Sequence, residues 1–392
     1  MHASDFRSTS WLALAGAGLL CLPGAAAHAS DIYGVTNLVS DGSVFAKTID
    51  PALINPWGIS YGPTSPFWAS DNNWGTVTLY NGAGAKIPLT VNVPPPINTA
   101  GVGTPTGQVF NGSGGFTLNS GGKSGSALFM FATEDGTISG WSPGVSLTNA
   151  VLAVDHSNGG AGDVFKGLAI GDNGGATTLY AANFRGGDVE MFNSSFQQVG
   201  TFTDPTVAAG YAPFNVQNIG GTLFVTFALQ NGAKHDDVAG AGHGYVDAFS
   251  LNGAFERRIV SLGGQINSPW GLDIAPKGFG AFAGDLLVGN FGDGTISAFN
   301  PLTGAFQGQL LGLSGKPLVE GDLWGLINGN GGAGGDSSKV YFTAGVMNEA
   351  HGLFGAISAA PEPASWAFMS LGVGLLGAGL RRRTRTAQAA PG

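Results

Sequence analysis

The chain has little charge and almost no cysteine, and no helical pattern shows in its long central part. Of 392 residues only 10% are charged. The single cysteine, Cys21, excludes a disulfide framework and any cysteine-based zinc cluster. Sixteen basic residues stand against 25 acidic ones, a formal balance of −9. That excludes nucleic acid as a partner, because neutralising phosphates takes Lys and Arg in quantity. No amphipathic helical run of useful length occurs within 31–358. His-Glu-x-x-His is absent, which removes one common metallohydrolase signature. Gly121-Gly122-Lys123-Ser124 is no phosphate loop, since Thr117 stands where the first glycine belongs.

Glycine and aromatic residues are abundant instead, with 68 Gly, 25 Phe and 8 Trp, and 43% of the chain is hydrophobic. So apolar a chain does not stay disordered, so the glycine belongs in turns between short strands. Periodicity supports this. A phrase recurs as Pro56-Trp57-Gly58, Pro105-Thr106-Gly107, Phe165-Lys166-Gly167, Pro213-Phe214-Asn215, Pro269-Trp270-Gly271 and Leu323-Trp324-Gly325. A second apolar phrase follows each, for example Phe67–Asp71, Leu179–Asn183 and Leu286–Asn290. Alternating strands such as Thr76–Tyr80 and Asp188–Phe192 come next. Each unit of about 50–60 residues thus reads as four antiparallel strands, and six units predict a six-bladed β-propeller over 30–358. Ile32–Val39 is the natural strand to close the ring beside Leu353–Ile357.

The two ends read as addresses. Residues 1–29 have Arg7, an apolar run from Trp11 to Leu22, a break at Pro23-Gly24 and an Ala27-His28-Ala29 cleavage site, which together predict a signal peptide. Residues 359–392 carry Pro361-Glu362-Pro363, the apolar stretch 364–380 and the cluster Arg381-Arg382-Arg383-Thr384-Arg385. This order resembles the PEP-CTERM sorting signal of Gram-negative bacteria. The resemblance implies an exosortase-type membrane protease as partner, a transient inner-membrane anchor through 364–380, and a final place at the cell surface or outside the cell. Loss of the signal and of the arginine-bearing tail, with Glu362 retained, would remove Asp5, Arg7 and four tail arginines. The 16 basic groups then become 11, the 25 acidic groups 24, and the balance −13.

The repeated phrases resemble NHL-type and gluconolactonase/regucalcin-like propellers. More closely, Asn55–Asp71, Ser268–Phe299 and Tyr341–Phe354 resemble an uncharacterised bacterial propeller family that carries such tails. The gluconolactonase-like resemblance implies a Ca²⁺ site with an Asp as general base. The residues of suitable type are Glu134, Asn183, Asn290 and Asp71, and the same positions also suit ordinary Asx turns. Trp57, Phe214, Trp270, Trp324 and His243 are the candidates for a ligand-binding rim, against the alternative of packing between blades. An enlarged turn from Asn231 to Gly244 concentrates His235, Asp236, Asp237 and His243. The candidate catalytic groups are His235 and Asp237 in this turn together with Asp71 at the rim, and a structured rim loop is the other reading of the turn. Two functions follow. One is a surface module that binds glycan, protein or matrix polymer; the other is a Ca²⁺-dependent lactonase-like hydrolase at the channel mouth.

Overall fold

The computed structural model describes residues 32–360. The signal segment, Pro361-Glu362-Pro363, the 364–380 stretch and the terminal arginines lie outside the described residues. Short, β-branched and aromatic runs separated by glycine turns give six antiparallel blades of four strands, the sixth extended by Thr48–Ile49 and Leu311–Gly312, which pair parallel with Ile32–Ser40. Blade 1 is Pro56–Ser60, Phe67–Asp71, Thr76–Tyr80 and Lys86–Asn92. Blade 2 is Pro105–Phe110, Phe129–Thr133, Thr137–Trp141 and Val151–Asp155. Blade 3 is Phe165–Asn173, Ala176–Asn183, Asp188–Asn193 and Gln198–Phe202. Blade 4 is Tyr211–Ile219, Thr222–Leu229, Tyr245–Ser250 and Phe255–Val260. Blade 5 is Pro269–Ile274, Leu286–Asn290, Ile296–Phe299 and Phe306–Gln309.

Blade 6 closes the ring. Its first three strands are Leu323–Asn328, Val340–Ala344 and Leu353–Ala359, and its fourth is Ile32–Ser40 from the start of the described chain. That strand pairs antiparallel with the third, Val35 opposite Ile357 and Ser40 opposite Leu353, with a bulge between Asn37 and Val39. Closure covers the edge that an open sheet would leave free to pair with another chain. Blade 2 departs from the pattern with an inserted hairpin, Thr117–Ser120 against Lys123–Ser126. Gly121 and Gly122 form its turn at φ 57° and 75°, so the Gly-Gly-Lys-Ser run is hairpin chemistry.

The core is divided between the blades. Each of the six junctions has its own apolar layer, for instance Trp68, Val77 and Val91 against Phe131 and Trp141 between blades 1 and 2. Each junction is also bridged by a side chain that donates to a neighbouring backbone carbonyl. In order these are Gln108 to Gly58, Thr106 to Phe165, Asn218 to Ile170, Asn215 to Trp270, Asn328 to Ile274 and Thr343 to Trp57, at 2.6–3.0 Å. Such bonds contribute about 0.5–1.5 kcal/mol apiece, but they fix which blades meet and in what register. The glycine of the repeated phrase answers the same crowding. A Cβ on Gly58 would lie 2.3 Å from the Thr106 carbonyl oxygen, and one on Gly167 would lie 2.1 Å from Asn215 Oδ1.

Candidate functional site

The residue before that glycine, or before Asn215 in blade 4, occupies the equivalent place on the inner strand of every blade. The ring of six is Trp57, Thr106, Lys166, Phe214, Trp270 and Trp324, none more than 4% exposed. Trp57 stacks on Trp324 at 3.6 Å, Trp324 on Phe291 at 4.1 Å, and Trp270 meets both tryptophans edge-on. Phe214 packs on Phe184 and Trp324. The four aromatic rim candidates therefore meet at the channel, but they pack on one another and form a plug with no open indole face. At the opposite end of the channel lies a cavity of about 260 Å³ lined by Tyr61, Phe110, Ile170, Gln217 and Ile327.

Lys166 is the one charged member of the ring, and the mouth is organised around it. Its side chain is 1% exposed, pairs with the Glu134 carboxylate, and has Asp236 Oδ1 at 3.9 Å. Its ammonium also lies 4.7 Å from the centre of the Trp57 ring, a cation–π contact strengthened by desolvation. Glu134 comes from the turn after the second strand of blade 2, and Asn72 Nδ2 donates to its other oxygen at 2.9 Å. The enlarged turn of blade 4 folds back over the mouth as a tight hairpin, with Asn231 N bonded to Asp236 O and Val238 N to Leu229 O. There His235 Nδ1 lies 2.7 Å from Asp236 Oδ1. That contact raises the His235 pKa and lowers that of Asp236, because each favours the charged form of the other.

Blade 6 brings Glu349 to the same mouth. Its turn holds Met347, Asn348 and Glu349 in succession at φ 62°, 55° and 62°. Left-handed backbone costs about 1–2 kcal/mol per non-glycine residue, so this turn is held against its local preference. Glu349 Oε2 accepts from Asn55 Nδ2 at 2.8 Å, and Asn55 Oδ1 accepts from Trp324 Nε1 at 3.0 Å, which ties the acid to the plug. Burial, with Glu134 adding repulsion, pushes the Glu349 carboxyl up to about 7. Asn73 Nδ2 donates to the Glu349 carbonyl at 2.8 Å. Next to Asn73, Trp74 ends a short 3-10 turn and is 54% exposed.

The residues expected to hold Ca²⁺ occupy separate networks. Asp71 is buried within blade 1 beside Thr76, and desolvation raises its pKa well above the usual range. Asn183 donates to Glu190, and Asn290 donates to Thr295. Glu134 comes close to other metal-ligating groups, namely His235 and Asp236, but Lys166 already supplies the cation there. This donor set does not fit Ca²⁺. Asp237 lies under the hairpin with its pKa raised by burial, and His243 Nδ1 contacts the Val238 carbonyl at 3.1 Å. His351 pairs with Asp41 at 2.6 Å, away from Glu134 and Lys166 in bonding terms. Lys166 and Trp74 are not among the site residues expected from the sequence. Lys166 was legible as the one cation in the repeated phrase, whereas no sequence signal separates an exposed Trp74 from the buried tryptophans.

Comparison with known proteins fits the fold and the address. The PEP-CTERM protein-sorting motif matches residues 359–383. It implies an exported protein sorted to the surface and processed by an exosortase. Two uncharacterized proteins of Acanthamoeba polyphaga mimivirus are each 32% identical to this chain. One alignment covers 89% of this chain and 86% of the relative, the other 83% and 85%. The chain belongs to the family of these two proteins. Among solved structures, a glucose dehydrogenase superposes with a TM-score of 0.50 at 12% identity, over 83% of this chain and 100% of that one. A gluconolactonase from Xanthomonas campestris gives 0.46 at 12% identity, over 87% and 99%. The likeness to the dehydrogenase is one of fold.

Proposed function

We propose that the protein is an exported binding module that holds an extracellular glycan at the Lys166–Glu134 mouth. The observation that carries this reading is Trp74. It presents an aromatic face beside Asn72 and Asn73, whose side chains are anchored to Glu134 and Glu349. A flat apolar face flanked by amides and carboxylates suits a sugar ring, which offers C–H groups on its faces and hydroxyls at its edge. Around the mouth Glu134, Asp236 and Glu349 outnumber Lys166 and His235, so a neutral or amino-bearing glycan fits better than an acidic one. The test is a glycan array followed by calorimetry with the best neutral oligosaccharide. Trp74→Ala is expected to weaken binding at least about tenfold, in line with loss of one aromatic platform. Equal affinity in the variant would refute the reading.

A hydrolytic reading rests on one observation, the Glu349 carboxyl near 7, where a group can both give and take a proton. Lactone or ester turnover that disappears in Glu349→Gln would favour it over pure binding.

A further inference from the structure

We propose that His156, Asp163 and Glu190 form a divalent-metal site, of the zinc class, where the connection between blades 2 and 3 meets blade 3. His156 Nδ1 lies 3.0 Å from Asp163 Oδ2 and 3.2 Å from Glu190 Oε2. A ring nitrogen has one proton or one lone pair, so it serves one of these oxygens well and not both. Glu190 Oε2 in fact has no hydrogen-bond partner, although Glu190 is only 4% exposed. A buried carboxylate oxygen left in this state is costly unless a cation meets it. A metal about 2.0–2.2 Å from nitrogen and oxygen ligands keeps them roughly 3–3.5 Å apart, which is the spacing found.

The surroundings are those of a ligand set. Asp188 adds a further negative charge close to Glu190, and desolvation together with Asp163 and Asp188 raises the Glu190 pKa. Among the described residues, Asp163 and Glu190 form ion pairs with His156 alone, so no lysine or arginine fills the centre. Glu190 is oriented from behind by Asn183, which donates to Oε1 at 2.9 Å. The loop that carries His156 and Asp163 is fixed by Arg185, which donates to the Gly160 and Gly162 carbonyls at 3.0 and 2.7 Å. His156 remains 30% exposed, which gives an ion a way in. One imidazole with carboxylates and no thiolate suits Zn²⁺.

The experiment is calorimetric titration of ZnCl₂ into the full chain after chelator treatment, with a parallel thermal melt. One ion per chain is expected, with a rise in melting temperature. Glu190→Gln and His156→Ala should each weaken binding beyond the roughly 10–100-fold that outer ligand partners control. Glu190→Gln keeps the shape, and circular dichroism of both variants checks that they fold. Absence of Zn²⁺ binding by the wild-type chain would overturn the proposal. So would binding that survives both substitutions, or that is lost in Asp236→Asn while Glu190→Gln retains it.

Discussion

Two histidine–carboxylate clusters lie on the same face of the propeller, one at the axial mouth and one at the start of blade 3. Both have an imidazole Nδ1 about a hydrogen bond from an aspartate, 2.7 Å in His235–Asp236 and 3.0 Å in His156–Asp163. Both include a glutamate, Glu134 or Glu190. They differ in what occupies the centre. Lys166 enters the first from the axial ring and neutralises Glu134. Among the described residues no lysine or arginine enters the second, where Glu190 Oε2 has only the His156 ion pair and no hydrogen bond. The lesson is that ligand-type residues at ligand-type spacing do not define a metal site. The charge already present between them decides.

The strongest way to break this comparison is to remove the lysine. Lys166→Met keeps the bulk but leaves Glu134 unpaired beneath the hairpin, and unfolding free energy is expected to drop by about 3–5 kcal/mol in a denaturant titration. The same variant should bind a second Zn²⁺, because Glu134, His235 and Asp236 then lack their resident cation. Full stability, or no change in stoichiometry, would show that Lys166 is not what separates the clusters. A smaller effect sharpens the other side. Asn183→Ala releases Glu190 from behind and should weaken Zn²⁺ binding about 10–100-fold, read by the same calorimetry. Unchanged affinity would mean that the strand alone positions Glu190.

Much of the architecture could be read from the repeated phrase, because the propeller needs one close-packed glycine per inner strand and the chain has five of them and Asn215. The closing role of Ile32–Ser40 was legible too, since a blade with three strands needs a fourth. The enlarged turn of blade 4 stood out by its length, and it does reach the mouth through His235 and Asp236. The site itself was less legible. Periodicity puts Trp57, Trp270 and Trp324 at one radius, but whether they face solvent depends on how tightly six inner strands converge. Asn183 has the chemistry of a ligand, yet its amide donates to Glu190, and only the register of blade 3 reveals that. His156 and Asp163 lie in the connection just before Phe165-Lys166-Gly167, outside the repeated phrases, where no periodicity marks them.

Two carboxyls at the mouth carry the same contrast into pH dependence. Asp236, facing His235, has its pKa lowered, while Glu349, desolvated and close to Glu134, is pushed up to about 7. Desolvation likewise raises Glu320 and Asp273 to about 7, and Asp247 to about 6 despite Arg258. In these raised groups the folded chain keeps a proton that the unfolded chain has released. Their stabilising contribution is therefore complete below the ordinary carboxylate range, near pH 4, and is lost as pH climbs through 6–7. Asp41, Asp50, Asp204 and Asp236, all lowered, act in the opposite sense and lose their contribution only as pH falls below about 4. His235, raised by Asp236, adds stability that is also lost as pH rises past its folded value. The melting temperature should thus be highest near pH 5 and decline toward pH 8. Glu349→Gln should flatten part of that decline, because an amide at this position has no proton to lose. A melting temperature that climbs from pH 5 to 8, or a slope indifferent to Glu349, would place the burden on the paired carboxylates instead and erase the distinction between the two kinds of acid at the mouth.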